Sequence, residues 1–549
     1  MTPTSRVYWW ATLALSSAVG LMLAVFLGPR QSLAVLPRPA GDENVLRVAY
    51  LQNLQIDPHR RTFPFPVQNQ FILALWEPLI ECDPDTGQPQ PAAAESWVWS
   101  EDRLKLTLQL RRDGRWSNGE PVTAQDFVRG WRRLLRQDMD VAAVLYPLKN
   151  AAAFHEGKVG DAELGVKAVD DFTLVLTLGG IRSTLVTELA DPLLVPLHGT
   201  TEDVLKQQRY RQQPERLVTN GAFCLQQAGP EGFRLWASQQ YRDRAGVKLA
   251  GVQFVRVSSA KMGRLLVAAG RVDMMAPVPE GRLAPSPTAR ETTEATEMAL
   301  IVSTLDLNTS RGPLRDVRVR QAMSLAMDRA GSIRAAAPNL MVPAYAWVPD
   351  MPGRPGLKIL HEDATEARRL LAEAGYPGGK DFPVLVMPVS PAWRSYSYLQ
   401  DWTDRWYQEL GIRTYMALES DGRRAELQKT GDYDIIFNGL IATVPDAGDM
   451  LGAFAMPGMF NATRWQDQEI IRLLGEADRK TGTERLALLE QAERKVLAAV
   501  PTIPMVFEHR RTLLAREVTG WYADPLGRQS LKRLSIQPPR EKPNPKAQL

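Results

Sequence analysis

Five histidines, His59, His155, His198, His361 and His509, are the side chains best suited to bind zinc or move protons near neutral pH. No two stand four residues apart, so the His-x-x-x-His pattern of a helical zinc peptidase is missing. The run Gly375-Tyr376-Pro377-Gly378-Gly379-Lys380 is one residue short of a phosphate-cradling loop and continues into Asp381, where a hydroxyl is needed. Gly375 and Pro377 read instead as a helix stop. There is no Gly-x-Ser-x-Gly elbow, and the two cysteines, Cys82 and Cys224, are far apart. No catalytic residue, metal or cofactor is therefore expected, and the chain reads as a binding protein. A hydrolase with dispersed residues stays open as the alternative.

At 549 residues the chain is too long for one small core, so two or more lobes are expected. A net charge of +4 is small against 66 basic and 62 acidic side chains, and no basic stripe appears, which excludes nucleic acid as the expected partner. Residues 7–29 carry no charge and lie between Arg6 and Arg30. That is long enough to span a bilayer, so residues 1–40 read as a membrane anchor or as an export signal cleaved after Ala34. The body of the protein is expected outside the cytoplasm in either case. Cys82 and Cys224 are expected as unpaired thiols, and residues 537–549 as a disordered tail.

The elements that would position a site are legible from periodicity. Leu104, Leu106, Leu108 and Leu110 alternate with polar residues, the period of a half-buried strand. Turns at Asp113-Gly114 and Asn118-Gly119 flank Trp116. Thr123 with Asp126 then has the form of a helix cap, and Phe127, Val128, Trp131, Leu134 and Leu135 share one helical face. Residues 163–178 read as a hairpin turning at Asp170-Asp171. Asp316 should cap a helix with Val319, Met323, Ala326 and Met327 inward, and its arginines facing solvent. Further on, strands at 384–389, 412–418 and 433–439 alternate with helices at 396–410 and 422–429. That order predicts an α/β lobe with a largely parallel sheet. A helix at 485–497 follows, with Leu486, Leu489 and Val496 inward.

The segment Trp116-Ser117-Asn118-Gly119-Glu120-Pro121-Val122-Thr123-Ala124-Gln125-Asp126-Phe127-Val128 closely resembles the signature of the peptide- and nickel-binding solute receptors of ABC importers, family 5 of the extracellular solute-binding proteins. Asp57-Pro58-His59, Trp76-Glu77-Pro78-Leu79-Ile80, Ala94-Glu95-Ser96-Trp97, Leu217-Val218-Thr219-Asn220-Gly221 and Pro313-Leu314-Arg315-Asp316-Val317-Arg318 resemble further landmarks in the same order. The oligopeptide-binding branch is the most similar. The resemblance implies a two-lobed, type II periplasmic-binding-protein fold (cluster C) with an additional subdomain and a cleft between the lobes. Lobe I would comprise residues 44–80, 215–302 and 503–536, the subdomain 81–214, and lobe II 303–502, hinged near 303 and 502. It also implies a peptide-like ligand, a permease as partner, a monomeric receptor and no enzymatic activity.

In open α/β sheets ligands bind beyond the carboxyl ends of the strands, which points to Asn438, Gly439, Leu440, Ala442 and Thr443. Peptide-binding members usually carry Gly-Trp-x-x-Asp here, the aspartate pairing with the peptide amine. This chain reads Gly439-Leu440-Ile441-Ala442-Thr443 and lacks both side chains. A buried ion pair is worth about 2–5 kcal/mol on truncation and a neutral hydroxyl about 0.5–1.5 kcal/mol. Asp446 or Asp449, in the following loop, could supply the missing carboxylate. Phe65, held by Pro64 and Pro66, is a loop staple or a cleft wall, and Trp406 completes the candidate set. The alternatives are a membrane-tethered sensor or scaffold with a degenerate cleft, or a receptor for a non-peptide solute.

Overall fold

The computed structural model describes residues 41–51, 53–60, 66–277, 290–336, 341–351, 354–391, 397–455 and 461–537. The apolar run 7–29, the Phe65 loop and the tail from residue 538 lie outside them. Among the described residues no helix is long and apolar enough to cross a membrane.

The alternating leucines form strand Lys105–Leu110, with Leu106, Leu108 and Leu110 buried. It is the second strand of a four-stranded antiparallel sheet, in the order Ala94–Trp99, Lys105–Leu110, Thr173–Thr177, Val166–Asp170. The last two strands are the expected hairpin. Helix Ala124–Leu134 begins in a capping box. The Asp126 carboxylate accepts from the Thr123 N–H at 2.8 Å, and from Trp116 Nε1 at 3.2 Å. One carboxylate thereby fastens both the turn and the helix start. The subdomain built on this sheet shares a continuous hydrophobic core with lobe I, from Leu46 and Phe71 through Trp116 and Trp131.

The larger sheet has nine strands and runs through both lobes. Its order is Ile435–Ile441, Thr292–Leu307, Thr502–Ala515, Met274–Met275, Val45–Tyr50, Gly251–Arg256, Gly232–Ala237, Phe223–Gly229, with Met341–Pro343 also paired to Thr502–Ala515. The expectation of a largely parallel sheet in lobe II is corrected here. Among the described residues of lobe II, Leu385–Val389 and Thr414–Leu418 pair in parallel, whereas Ile435–Ile441 and Thr502–Ala515 both run antiparallel to Thr292–Leu307. Two long strands cross between the lobes in opposite directions, and the neighbouring strand takes its direction from them.

Those crossing strands are also irregular. Their register shifts between Met298 and Val302, and again between Ser303 and Thr304. Leu305, Leu307, Ile503, Met505 and Val506 pack in one lobe II core, and Leu300, Val302 and Phe507 in another. Leu513 and Leu514 pack on the lobe I side. A bulge is a suitable hinge because its extra residue loosens the hydrogen-bond ladder.

Two orientations differ from the sequence reading. Arg315 and Arg318 are exposed, but Arg320 is buried and donates to the carbonyls of Leu314, Arg315, Ala499 and Val500. The carbonyls at the end of helix Gly482–Ala499 have no partner within the helix, and a guanidinium supplies donors for them. Leu486 is exposed, whereas Leu489 and Val496 are inward. Cys82 and Cys224 are both free and partly buried.

Candidate functional site

Strand Ile435–Ile441 ends where the sequence placed the site, but its residues play different parts. Asn438 turns into the sheet, where its amide donates to Asp306 at 3.1 Å and its oxygen accepts from the Gly439 N–H. Gly439 is exposed, and a Cβ there would meet only the Val302 carbonyl oxygen at 3.6 Å. Leu440 and Ala442 pack on a lobe II core. Trp406 lies fully buried in the other lobe II core, its indole N–H donated to the Met323 carbonyl at 2.8 Å. It is therefore corrected from a cleft residue to a core residue. Phe65 lies outside the described residues.

Thr443 is the junction. Its N–H and hydroxyl donate to the Asp449 carboxylate at 2.6 and 2.9 Å, and the Val444 N–H adds a contact at 3.4 Å. Its carbonyl accepts from Arg528 at 2.6 Å, and Arg528 also pairs with Asp191 of the subdomain at 2.9 Å. Asp446 caps helix Ala447–Leu451 through the Gly448 N–H and holds Arg485 by two contacts of 2.8 and 2.9 Å. Asp446 is thereby committed, whereas Asp449 sits against the position that lacks its expected carboxylate.

The subdomain supplies the opposite wall. Arg182 pairs with Glu188 at 2.7 Å and approaches Asp449 at 3.7 Å. Ser183 donates to Asp478 at 2.7 Å and accepts from Arg485 at 3.1 Å. These contacts close a bridge between subdomain and lobe II, with a cavity of about 290 Å³ on one side and about 400 Å³ on the other. The smaller cavity presents Asp446, Asp449, Asp478, Arg182 and Arg485, with Ile471 and Leu474 on its apolar wall.

Burial pushes the Asp449 carboxyl above the usual range, against the hydrogen bonds of Thr443 and the charge of Arg182. Glu188 is raised for the same reason, despite Arg182. Four carboxylates, Glu188, Asp446, Asp449 and Asp478, thus share two guanidiniums, Arg182 and Arg485. Carboxylates outnumber guanidiniums in this partly buried space, which favours a ligand that brings a cation. Arg182, Ser183, Asp478, Arg485 and Arg528 were not foreseen, because each comes from a segment remote in sequence with no local motif.

A two-lobed sheet crossed by antiparallel hinge strands, with a polar cleft between the lobes, defines a type II periplasmic-binding fold. Residues 88–461 match the bacterial extracellular solute-binding proteins, family 5 Middle, and the chain belongs to that family. It is 29% identical over 471 residues to the probable deoxycholate-binding periplasmic protein YgiS of Escherichia coli K12, covering 82% of this chain and 86% of that protein. It is 25% identical over 541 residues to the periplasmic oligopeptide-binding protein OppA of Escherichia coli K12, covering 94% and 98%. The solved structure of the Escherichia coli murein tripeptide binding protein MppA superposes with a TM-score of 0.72 at 24% identity, covering 90% and 99%.

Proposed function

We propose that this chain is the solute-binding component of an ABC importer, which closes two lobes on a peptide-like solute bearing a free amine and delivers it to a permease. The observation that carries this reading is Asp449. Its carboxylate is seated on Thr443 at the end of a lobe II strand and lines the cavity between lobe II and the subdomain. Asp449 takes the amine, and closure brings Arg182 against the same carboxylate. Residues 7–29 export the body or tether it to the membrane.

Calorimetry with a short peptide and its N-acetylated form tests this. Acetylation should weaken binding by about tenfold or more, roughly 1.4 kcal/mol. Asp449→Asn should remove that difference, and Asp446→Asn should not. Equal affinity for the two peptides rules out the amine anchor.

A second reading, a solute with an apolar body, is favoured by Ile471, which is 45% exposed on the wall of the same cavity. The deoxycholate named for one relative is such a solute. Tight binding of deoxycholate with none of either peptide would establish it. Binding of neither class would leave the sensor or scaffold reading.

A further inference from the structure

Strand Thr414–Leu418 is the outer strand of its sheet in lobe II. It pairs in parallel with Leu385–Val389, which adjoins the start of Ile435–Ile441 through a bond of 3.1 Å from the Asp434 N–H to the Val386 carbonyl. Among the described residues no strand pairs with its other side, and none of its five residues is buried. Edge strands usually carry a charge or a proline that discourages further pairing. The subdomain sheet follows that rule, with Glu95 and Lys167 inside its two edge strands. Thr414-Tyr415-Met416-Ala417-Leu418 holds neither. Large side chains are also exposed on and beside this pair of strands: Val384, Val386, Leu418 and, at 62%, Tyr415.

The main chain shows which groups of the edge are unpaired. The Leu385 N–H donates to the Arg413 carbonyl at 3.0 Å, and the Glu419 N–H donates to the Val389 carbonyl at 3.0 Å. Alternate residues of a strand point their N–H and C=O groups the same way. Residues 413, 415, 417 and 419 therefore face Leu385–Val389, and Thr414, Met416 and Leu418 face outward. Arg413 and Glu419 bracket the strand. Neither is in an ion-pair contact among the described residues, although Arg423 lies within electrostatic range of Glu419.

We propose that this edge is a self-association surface, on which a second copy of the chain pairs antiparallel about a twofold axis at Met416. The sequence is complementary to itself in that register alone. Met416 faces Met416 of the second copy, and Thr414 faces Leu418, so the outward main-chain groups of both strands are satisfied together. Arg413 then stands opposite Glu419 at one end, and Glu419 opposite Arg413 at the other. Tyr415 covers Ala417 of the second copy as a close cross-strand pair. The two copies share one continuous sheet, and the association departs from the monomer that the family resemblance implies. It does not depend on which solute the cleft takes.

The test is sedimentation velocity of the full chain, in a mild detergent that accommodates residues 7–29. Concentrations up to about 100 μM cover the range in which a small interface associates. The wild type should shift from monomer towards dimer as concentration rises. Arg413→Glu and Glu419→Arg each set like charges together at both ends, and each should weaken dimerisation by about tenfold or more. Mixed in equal amounts, the two variants should associate as the wild type does, because the mixed pair restores opposite charges at both ends. A wild type that stays monomeric overturns the proposal, and so does a dimer that both single variants retain. Variants that stay monomeric when mixed overturn it as well.

Discussion

Arg528 donates to the Thr443 carbonyl at 2.6 Å, and so the final segment of lobe I holds the end of the lobe II strand that carries the candidate site. The same NH2 group donates to Asp191 of the subdomain at 2.9 Å. Three regions of the chain thus meet on one guanidinium, which a single flexible ammonium cannot reproduce as well.

Removing that guanidinium takes the Arg528 cation from Asp191, which is 2% exposed, and leaves the Leu193 N–H bond at 2.9 Å in place. Breaking one side of a buried pair costs about 3–5 kcal/mol. Arg528→Gln should therefore lower the stability measured by chemical denaturation, and Arg528→Lys should lower it less. Adding Asp191→Asn to Arg528→Gln should restore most of the stability, because the buried charge that lost its guanidinium is then neutral. Ligand affinity should stay reduced in that double variant, since Thr443 has still lost its tie to lobe I. Full recovery of affinity would show that the Arg528–Thr443 contact has no part in closure.

Acid should destabilise the fold through His59. The imidazole is buried, accepts from Arg133 at 2.9 Å and lies beside the Asp57–Arg133 pair. Burial first, and then Arg133, push its pKa down to about 3. The folded protein keeps His59 neutral while the unfolded chain takes up a proton below pH 6.5. Below that pH the unfolded state binds more protons, so this stability is complete above about 6.5 and lost progressively towards 3. At pH 5 the loss is about 2 kcal/mol. Asp57, whose carboxyl is held low by Arg133 despite burial, adds to the loss only below its ordinary range. His59→Gln should flatten the denaturation midpoint between pH 6.5 and 4.5. An unchanged slope would assign the acid sensitivity to other groups.

Local periodicity made some of this protein readable, and non-local pairing hid the rest. The leucine alternation at 104–110 and the shared face of Phe127, Val128, Trp131, Leu134 and Leu135 each describe one element, and both elements are present. Spacing could not say what a helix face meets, so the sequence reading put Trp406 on the cleft when packing puts it in the core. The antiparallel crossing strands join residues about two hundred positions apart, which no local period reports. Arg320 misled for another reason: its burial depends on unpaired carbonyls at the end of a helix far along the chain. Asp449 was legible as a carboxylate near Thr443. Its partner Arg182, from the subdomain, was not.

The placement of that carboxylate gives the sharpest test of the site. Because Asp449 already accepts the Thr443 hydroxyl at 2.9 Å, Thr443→Asp alone would set two carboxylates side by side. They could not both ionise, so one would retain a proton near neutral pH and the fold would lose stability as pH rises. Restoring the family's aspartate at 443 should therefore not improve binding in the presence of Asp449. Asp449→Thr alone removes the charge and should erase the preference for a free amine over an acetylated one. The exchange Thr443→Asp/Asp449→Thr keeps one carboxylate and one hydroxyl at the same junction, in swapped positions. It should bring the free-amine preference back to within about threefold of the wild type, with stability close to wild type. Calorimetry on the three variants, paired with their thermal midpoints, reads both quantities. If the exchanged protein is stable but shows no amine preference, Asp449 acts through its bonds to Thr443 and Arg182 and not as the ligand's counter-ion.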